Sequence, residues 1–327
     1  MTEKQLTISF IGAGTIGTAL GNVIAENNVH KVKLLSIEED VVKSINSKGI
    51  NVKYFPTHHL HPSLKATTEK AEISDSDIIF LAIPSSVLME YMGSLHFHIP
   101  ETSILVNLAK GFGSEHKTII RCLKETFHNP LCAMKGPSFA REIINRVPTG
   151  FTIGCEDQAV GDTLTKVFDG TSIFIDRSTD IEGVEMLSIL KNIYAICLGI
   201  VDAYFNSPNI RFLVLTKAFN EMRKILLQFG GKEQTIFNYC GYGDFTLTAL
   251  NDLSRNRTLG LLIGKGFFTE HVSHDLVLEG KVAVNVFYEE ISKILDVKKE
   301  FPIIGEMYKI FNEEYDVSAF VSNLLIS

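Results

Sequence analysis

Near its N-terminus the chain reads Phe10-Ile11-Gly12-Ala13-Gly14-Thr15-Ile16-Gly17-Thr18-Ala19-Leu20, directly after an apolar run that begins at Leu6. In a strand–turn–helix, Gly12 would allow the tight turn, Gly14 would let a pyrophosphate approach the backbone, and Gly17 would let the helix pack closely on the strand. Free amide N–H groups at the helix start then face the phosphates. Ordinary loops also use glycine where φ is positive. The position between a strand and a helix favours dinucleotide binding.

An acidic residue follows the next predicted strand, residues 32–35. Glu38 lies about 20 residues past the glycines, where a carboxylate accepts hydrogen bonds from the adenosine ribose. No Arg or Lys occupies residues 36–40. A 2′-phosphate would meet negative charge there, so the sequence favours NAD over NADP. The acids at Glu38, Glu39 and Asp40 also suit the first turn of a helix, and both interpretations can hold.

Length, charge and cysteine content set limits on the class of protein. A chain of 327 residues with 45% hydrophobic content favours two domains. A net charge of −7, with scattered Lys and Arg, argues against binding to nucleic acid or to an anionic membrane. The five cysteines show neither CxxC nor His pairing, which indicates reduced thiols. The first residues do not resemble a secretory signal, and apolar runs such as residues 78–84 are shorter than a membrane span. We expect a cytoplasmic protein.

Strand-like and helix-like stretches alternate over the first half of the chain. The predicted strands are residues 6–11, 32–35, 78–83, 104–108, 131–134, 151–154 and 172–175. After Asp180 the alternation stops, and helices separated by glycine turns follow. This order predicts an α/β fold, a Rossmann-like doubly wound sheet followed by an all-helical C-terminal domain. We place the dinucleotide-binding domain at residues 1–180 and the helical domain at 181–327.

A lysine stands inside an apolar helix. Residues 183–197 are apolar nearly all round, so this helix should be buried, and Lys191 lies in its middle. Desolvation lowers the pKa of a buried lysine and lets it exchange a proton near neutral pH. Alternatively, the ammonium group extends along the helix surface to solvent.

Residues 243–249 and 254–257 bring an acid, Asp244, close in sequence to hydroxyl, amide and guanidinium groups. Arg255 can bind a phosphate through two hydrogen bonds, with Ser254 and Asn256 adding others. The same residues suit a helix start with Ser254 as its N-cap.

Two further polar residues follow predicted strands. Lys110 comes after residues 104–108, and Ser138 comes after residues 131–134. Strand ends on one edge of a doubly wound sheet surround the ligand, so both can reach it. Each is also an ordinary loop or turn residue. We expect no metal site at His58-His59-Leu60-His61, because these residues lack helical spacing and nearby cysteines.

Taken in order, the motifs resemble NAD(P)-dependent glycerol-3-phosphate dehydrogenases of the bacterial type, over nearly the whole chain. The motifs are residues 12–20, Pro84-Ser85, Lys110-Gly111, residues 136–140, Leu190-Lys191-Asn192, Gly243-Asp244, residues 254–257 and Glu279-Gly280.

The resemblance implies interconversion of dihydroxyacetone phosphate and sn-glycerol 3-phosphate, with Lys191 as general acid/base and with Lys110 and Asp244 orienting the reacting oxygens. The residues expected at the substrate are Lys110, Gly136, Ser138, Lys191, Asn192, Asp244, Thr248, Ser254, Arg255 and Asn256. The residues expected at the dinucleotide, NAD or NADP, are Gly12, Gly14, Thr15, Ile16, Gly17, Glu38, Pro84, Lys110, Ala140, Arg255, Val277 and Glu279. A small phosphorylated substrate is the expected partner, and a homodimer is left open.

Three departures mark a divergent member: residues 202–209, residues 216–219, and Ile16 where an aromatic residue is common. Two alternatives stay open. A ketopantoate reductase-like enzyme would use a similar lysine but needs no phosphate-binding Arg255. A non-catalytic dinucleotide sensor would have little use for Lys191, Asp244 and Lys110.

Overall fold

The computed structural model describes residues 5–267, 274–313 and 316–326. The chain divides into two compact units, Met1–Glu185 and Met186–Ser327.

The first unit is built on one eight-stranded sheet. Its strands are β1 (Thr7–Ile11), β2 (Lys31–Leu35), β3 (Lys65–Thr67), β4 (Ile78–Leu81), β5 (Ile104–Asn107), β6 (Leu131–Lys135), β7 (Thr149–Cys155) and β8 (Ile173–Ser178). The order is β3-β2-β1-β4-β5-β6-β7-β8, and every neighbouring pair is parallel except β6 and β7. The doubly wound sheet is therefore confirmed. The sequence missed β3, whose three residues are too few to show a period.

Helices connect the strands of this unit. They are α1 (Thr15–Glu26), α2 (Glu39–Lys48), α3 (Ser85–Leu95), α4 (Ile119–Thr126), α5 (Ala140–Ile144) and α6 (Gln158–Val167). The central strands β4 and β5 are apolar except for Asn107 and buried at every residue, as expected of parallel strands covered on both faces. Because β2 and β4 flank β1, the strand order reverses beside the carboxyl end of β1, where open α/β sheets bind their ligands.

The second unit contains helices and no strand in its described residues. The helices are α7 (Ile181–Phe205), α8 (Pro208–Gln228), α9 (Asp244–Leu250), α10 (Arg255–Gly264), α11 (His274–Ser292), α12 (Val297–Glu300), α13 (Pro302–Asn312) and α14 (Val317–Ile326). The helical C-terminal half is thus confirmed for this part of the chain. The boundary between the units falls inside α7.

Helix α7 is long and apolar enough to cross a membrane, and it extends beyond the predicted apolar helix at residues 183–197. However, 94% of its most apolar 18-residue stretch is buried inside the protein. That burial is typical of a core helix in a globular domain.

Candidate active site

The turn between β1 and α1 depends on two glycines for its packing. Gly12 has φ +111, and a Cβ there would lie 2.6 Å from the Ala82 carbonyl oxygen. A Cβ at Gly17 would lie 2.2 Å from the Gly12 carbonyl oxygen. Gly14 differs, since it has φ −72 and nothing lies within 4 Å of the position of its Cβ. The backbone at Gly14 is therefore open to a ligand.

Hydrogen bonds from two polar side chains fix the backbone of this turn. The Thr18 hydroxyl donates a hydrogen bond to the Ala13 carbonyl at 3.0 Å. The side-chain amide of the buried Asn51 donates to the Ala13 carbonyl and to the Thr18 hydroxyl, each at 2.9 Å. Helix α1 starts at Thr15, which is exposed, and its N-cap Gly14 has no side chain to occupy the first amide groups. Ile16 is half-buried. This turn and helix start fit a dinucleotide pyrophosphate. Asn51 is not among the predicted site residues, because nothing local in the sequence relates it to residues 12–18.

Glu38 lies at the carboxyl end of β2 and is the N-cap residue of α2. Its carboxylate accepts a hydrogen bond from the Lys53 ammonium on one oxygen and from the Tyr54 hydroxyl, at 3.2 Å, on the other. The hydrogen bond to Glu38 raises the pKa of Lys53. These two partners could not be predicted from the sequence, which shows only a lysine next to an aromatic residue outside the predicted strands.

Lys110 is half-buried and lies three residues after the end of β5. The preceding backbone is held by Lys135, a buried lysine at the end of β6, whose ammonium donates to the Asn107 carbonyl at 2.9 Å and to the Ala109 carbonyl at 2.6 Å. The Asn107 amide donates to the buried Glu185 carboxylate, and burial raises the pKa of Glu185. Lys135 shares the sequence signal of Lys191, a lysine in an apolar stretch, but it is not among the predicted site residues.

The turn after β6 also requires a glycine. A Cβ at Gly136 would lie 2.3 Å from the Gly150 carbonyl oxygen. The half-buried Ser138 hydroxyl donates to the Gly136 carbonyl at 3.0 Å. Ala140, half-buried, starts α5, and the exposed Pro84 is the N-cap residue of α3.

In the second unit three residues meet around a buried ammonium group. Lys191 Nζ lies 2.5 Å from Asp244 Oδ1 and 3.1 Å from Thr248 Oγ1. The side chains of Lys191 and Asp244 are 3% and 1% exposed, so the lysine does not extend to solvent. Its charge is compensated inside the protein by the carboxylate. Asn192, the next residue of α7, is half-buried.

Helix α10 starts with the predicted cap and presents a cation in its first turn. The Ser254 hydroxyl accepts from the Arg257 amide at 3.3 Å, whereas Arg255 is exposed and Asn256 half-buried. The buried Arg257 guanidinium donates to Asp202 and, at 3.2 Å, to the Ala249 carbonyl. The cap interpretation of Ser254 is therefore confirmed, whereas phosphate binding by the exposed Arg255 stays a prediction.

The side chains of Val277 and Glu279 lie outside the described residues. Among the described residues, no group of three or more His, Cys, Asp or Glu side chains could hold a metal ion.

Two family models match the chain. The model of the NAD-dependent glycerol-3-phosphate dehydrogenase N-terminus matches residues 7–161, and that of the C-terminus matches residues 180–322. A glycerol-3-phosphate dehydrogenase (NAD(P)+) from Halothermothrix orenii is 33% identical over 98% of this chain and 94% of its own length. Another, from Syntrophotalea carbinolica, is 33% identical over 98% of this chain and 97% of its own length.

Solved structures give the same result. The glycerol-3-phosphate dehydrogenase of Coxiella burnetii is 26% identical, covers 99% of each chain and superposes with a TM-score of 0.87. A ketopantoate reductase from Ralstonia eutropha has a TM-score of 0.59 at 10% identity over 94% of this chain and 99% of its own, which is a likeness of fold alone. The chain therefore belongs to the NAD-dependent glycerol-3-phosphate dehydrogenase family.

Proposed function

We infer that this protein interconverts dihydroxyacetone phosphate and sn-glycerol 3-phosphate with a nicotinamide cofactor, NAD or NADP. Family membership over the full length supports the reaction. The observation that carries the chemistry is the buried group of Lys191, Asp244 and Thr248. An enclosed, ion-paired lysine costs folding energy, and a proton-transfer role explains why the chain keeps it.

When bound, the reduced nicotinamide supplies the hydride that reaches C2 of dihydroxyacetone phosphate. Lys191 gives a proton to the oxygen on C2 as negative charge develops there, and in the reverse direction it takes that proton back. Asp244 and Thr248 hold Nζ in place, so little reorganisation is needed during the reaction. In this proposal Lys110 orients the same oxygens, while Gly136, Ser138 and Asn192 line the substrate.

Arg255 and Asn256, in the first turn of α10, would bind the substrate phosphate. A guanidinium matches phosphate through two parallel hydrogen bonds. The Ser254 cap and the buried Arg257 fix the direction of that turn. A substrate with a phosphate is thereby favoured over ketopantoate, which has none.

For the cofactor, residues 12–17 would hold the pyrophosphate and Glu38 the adenosine ribose. Pro84, Ala140, Val277 and Glu279 complete the proposed dinucleotide contacts.

The test is oxidation of NADH by purified protein, followed at the nicotinamide absorbance. Dihydroxyacetone phosphate, dihydroxyacetone and ketopantoate are offered separately. We expect fast turnover with the phosphorylated substrate alone. Preference for ketopantoate would show the alternative dehydrogenase, and cofactor binding without turnover of any of the three would indicate a sensor.

We propose that the enzyme works in the cytoplasm as a homodimer. All five cysteines are free and buried, which suits a reducing compartment.

The dimer would form around the α7–α8 connection. Exposed apolar side chains there, Phe205, Phe212 and Leu213, offer a surface that a second copy would cover. Light scattering after size-exclusion chromatography should give twice the 36.4 kDa chain mass.

A further inference from the structure

Glu38, the acidic residue that the sequence predicts at the cofactor ribose, is paired with the ammonium group of Lys53. The Glu38 carboxylate is bonded by Lys53 and Tyr54, and the Lys53 ammonium also lies 5.3 Å from the centre of the Tyr54 ring. Both donors come from the segment between α2 and β3, more than a dozen residues along the chain. They leave the carboxylate with lone pairs for further hydrogen bonds, because an ionised carboxylate accepts about four.

This group lies on the same edge of the sheet as the glycine turn. The Gly12 amide donates to the Leu35 carbonyl at 2.8 Å, so the end of β2 is fixed beside the turn. A surface cleft of about 580 Å³ lies at Glu38 itself, lined by Glu38, Glu39, Asp40, Val41, Val52 and Lys53. Its size is within the range of small-molecule sites.

The two nicotinamide cofactors differ at this end by a 2′-hydroxyl or a 2′-phosphate. A carboxylate accepts a hydrogen bond from the hydroxyl but repels the phosphate, which instead requires a cation. Lys53 is the only cation among the residues that line the described cleft. Its pair with Glu38 is exposed, 55% for the lysine and 31% for the acid, so it contributes little to folding and can rearrange at low cost.

We propose that Lys53 determines cofactor specificity together with Glu38: it reduces the negative charge at the ribose and binds the 2′-phosphate, so that the protein accepts NADPH as well as NADH. Glu38 alone would restrict the protein to NADH. The inference rests on the proposed function, since it concerns the cofactor of that same reaction.

The experiment compares dissociation constants for NADH and NADPH, measured by calorimetry at low ionic strength without substrate. Lys53→Met should raise the ratio Kd(NADPH)/Kd(NADH) about tenfold, mainly by weakening NADPH, because one charge-assisted contact is lost. Lys43→Met is the matched control. It removes the same charge from an exposed position on α2 outside the cleft lining, and should change the ratio less than about twofold.

A second pair of variants tests the coupling. Glu38→Gln should lower the ratio in the wild-type background, since it frees Lys53 for the phosphate, and should lower it much less in the Lys53→Met background. Equal effects in both backgrounds, or an unchanged ratio in Lys53→Met, would overturn the proposal. If the cofactors bind but no substrate is reduced, the proposed function fails while the Kd ratios still decide the role of Lys53. Wild-type protein that binds neither cofactor refutes both.

Discussion

Lys191 is the residue on which the proposed proton transfer depends. Its ammonium is enclosed and paired with Asp244, with Thr248 as a further hydrogen-bond partner. Lys191→Met keeps the aliphatic stem and removes the proton donor. We expect reduction of dihydroxyacetone phosphate to fall by about two to four orders of magnitude, the usual contribution of a general acid, while NADH still binds. Steady-state turnover and calorimetric NADH titration measure the two effects.

The control for this change has to separate chemistry from folding. Lys191→Met leaves a buried carboxylate unpaired, which destabilises a protein by roughly 3–5 kcal/mol. Combining it with Asp244→Asn removes both charges and should restore much of the stability without restoring turnover. Lys224→Met, at an exposed position of α8, should leave turnover unchanged. Turnover near the wild-type rate in Lys191→Met would contradict the assignment.

The β1–α1 turn uses its glycines for two different purposes. Gly17 is needed because a methyl group there would collide with the Gly12 backbone, whereas Gly14 has an ordinary φ and open space around its Cβ position. We therefore expect no steric clash in Gly14→Ala and a loss of at most about 1 kcal/mol of unfolding free energy, because alanine is a poorer N-cap residue than glycine. The methyl group would lie where we propose the pyrophosphate, so Kd for NADH should rise.

Gly17→Ala should instead destabilise the first unit by roughly 1–3 kcal/mol, the usual range for overpacking. Urea unfolding and NADH titration of both variants separate the two effects. Unchanged NADH affinity in Gly14→Ala would place the dinucleotide elsewhere.

At the scale of the whole molecule, one buried acid links stability to pH. Glu221 of α8 accepts hydrogen bonds from the Ile303 and Ile304 amides at the start of α13 and from the Tyr194 hydroxyl of α7. Burial raises the pKa of Glu221 to about 7, although these three donors lower it. The folded chain therefore retains a proton at Glu221 at pH values where the unfolded chain, with a pKa of about 4.3, has already released it. Its contribution to stability is complete below that value and is lost as pH rises through 7.

The Glu221→Gln variant has no ionisable group at position 221, so comparison with the wild type isolates the contribution of Glu221 to the pH dependence of stability. Between about pH 5 and pH 8 we expect the wild type to lose roughly 3 kcal/mol of unfolding free energy relative to the variant. Urea unfolding of both proteins at the two pH values measures the difference. If the two proteins show parallel pH dependence, Glu221 does not titrate in this range.

Much of the architecture could be read from the residues themselves. Apolar runs such as β4 and the shift to helices after Asp180 are local patterns, and the seven predicted strands correspond to seven of the eight observed. The glycine turn could be predicted because part of its constraint is local: Gly12 has a positive φ, and a Cβ at Gly17 would collide with the Gly12 carbonyl. The burial of Lys191 could be predicted because a helix that is apolar on all sides packs inside the protein.

The sequence by itself determined the sheet, the helical half, the glycine turn and the buried lysine, because periodicity and local sterics act between near neighbours. Only the tertiary structure brought Asp244 to Lys191, 53 residues away, and Lys135 to the Ala109 carbonyl, 26 residues away. The same holds for Lys53, since the absence of a cation from residues 36–40 says nothing about a loop that folds back onto Glu38. Such pairings depend on how whole elements pack, and that packing is a sum over many distant contacts that no short stretch of sequence contains.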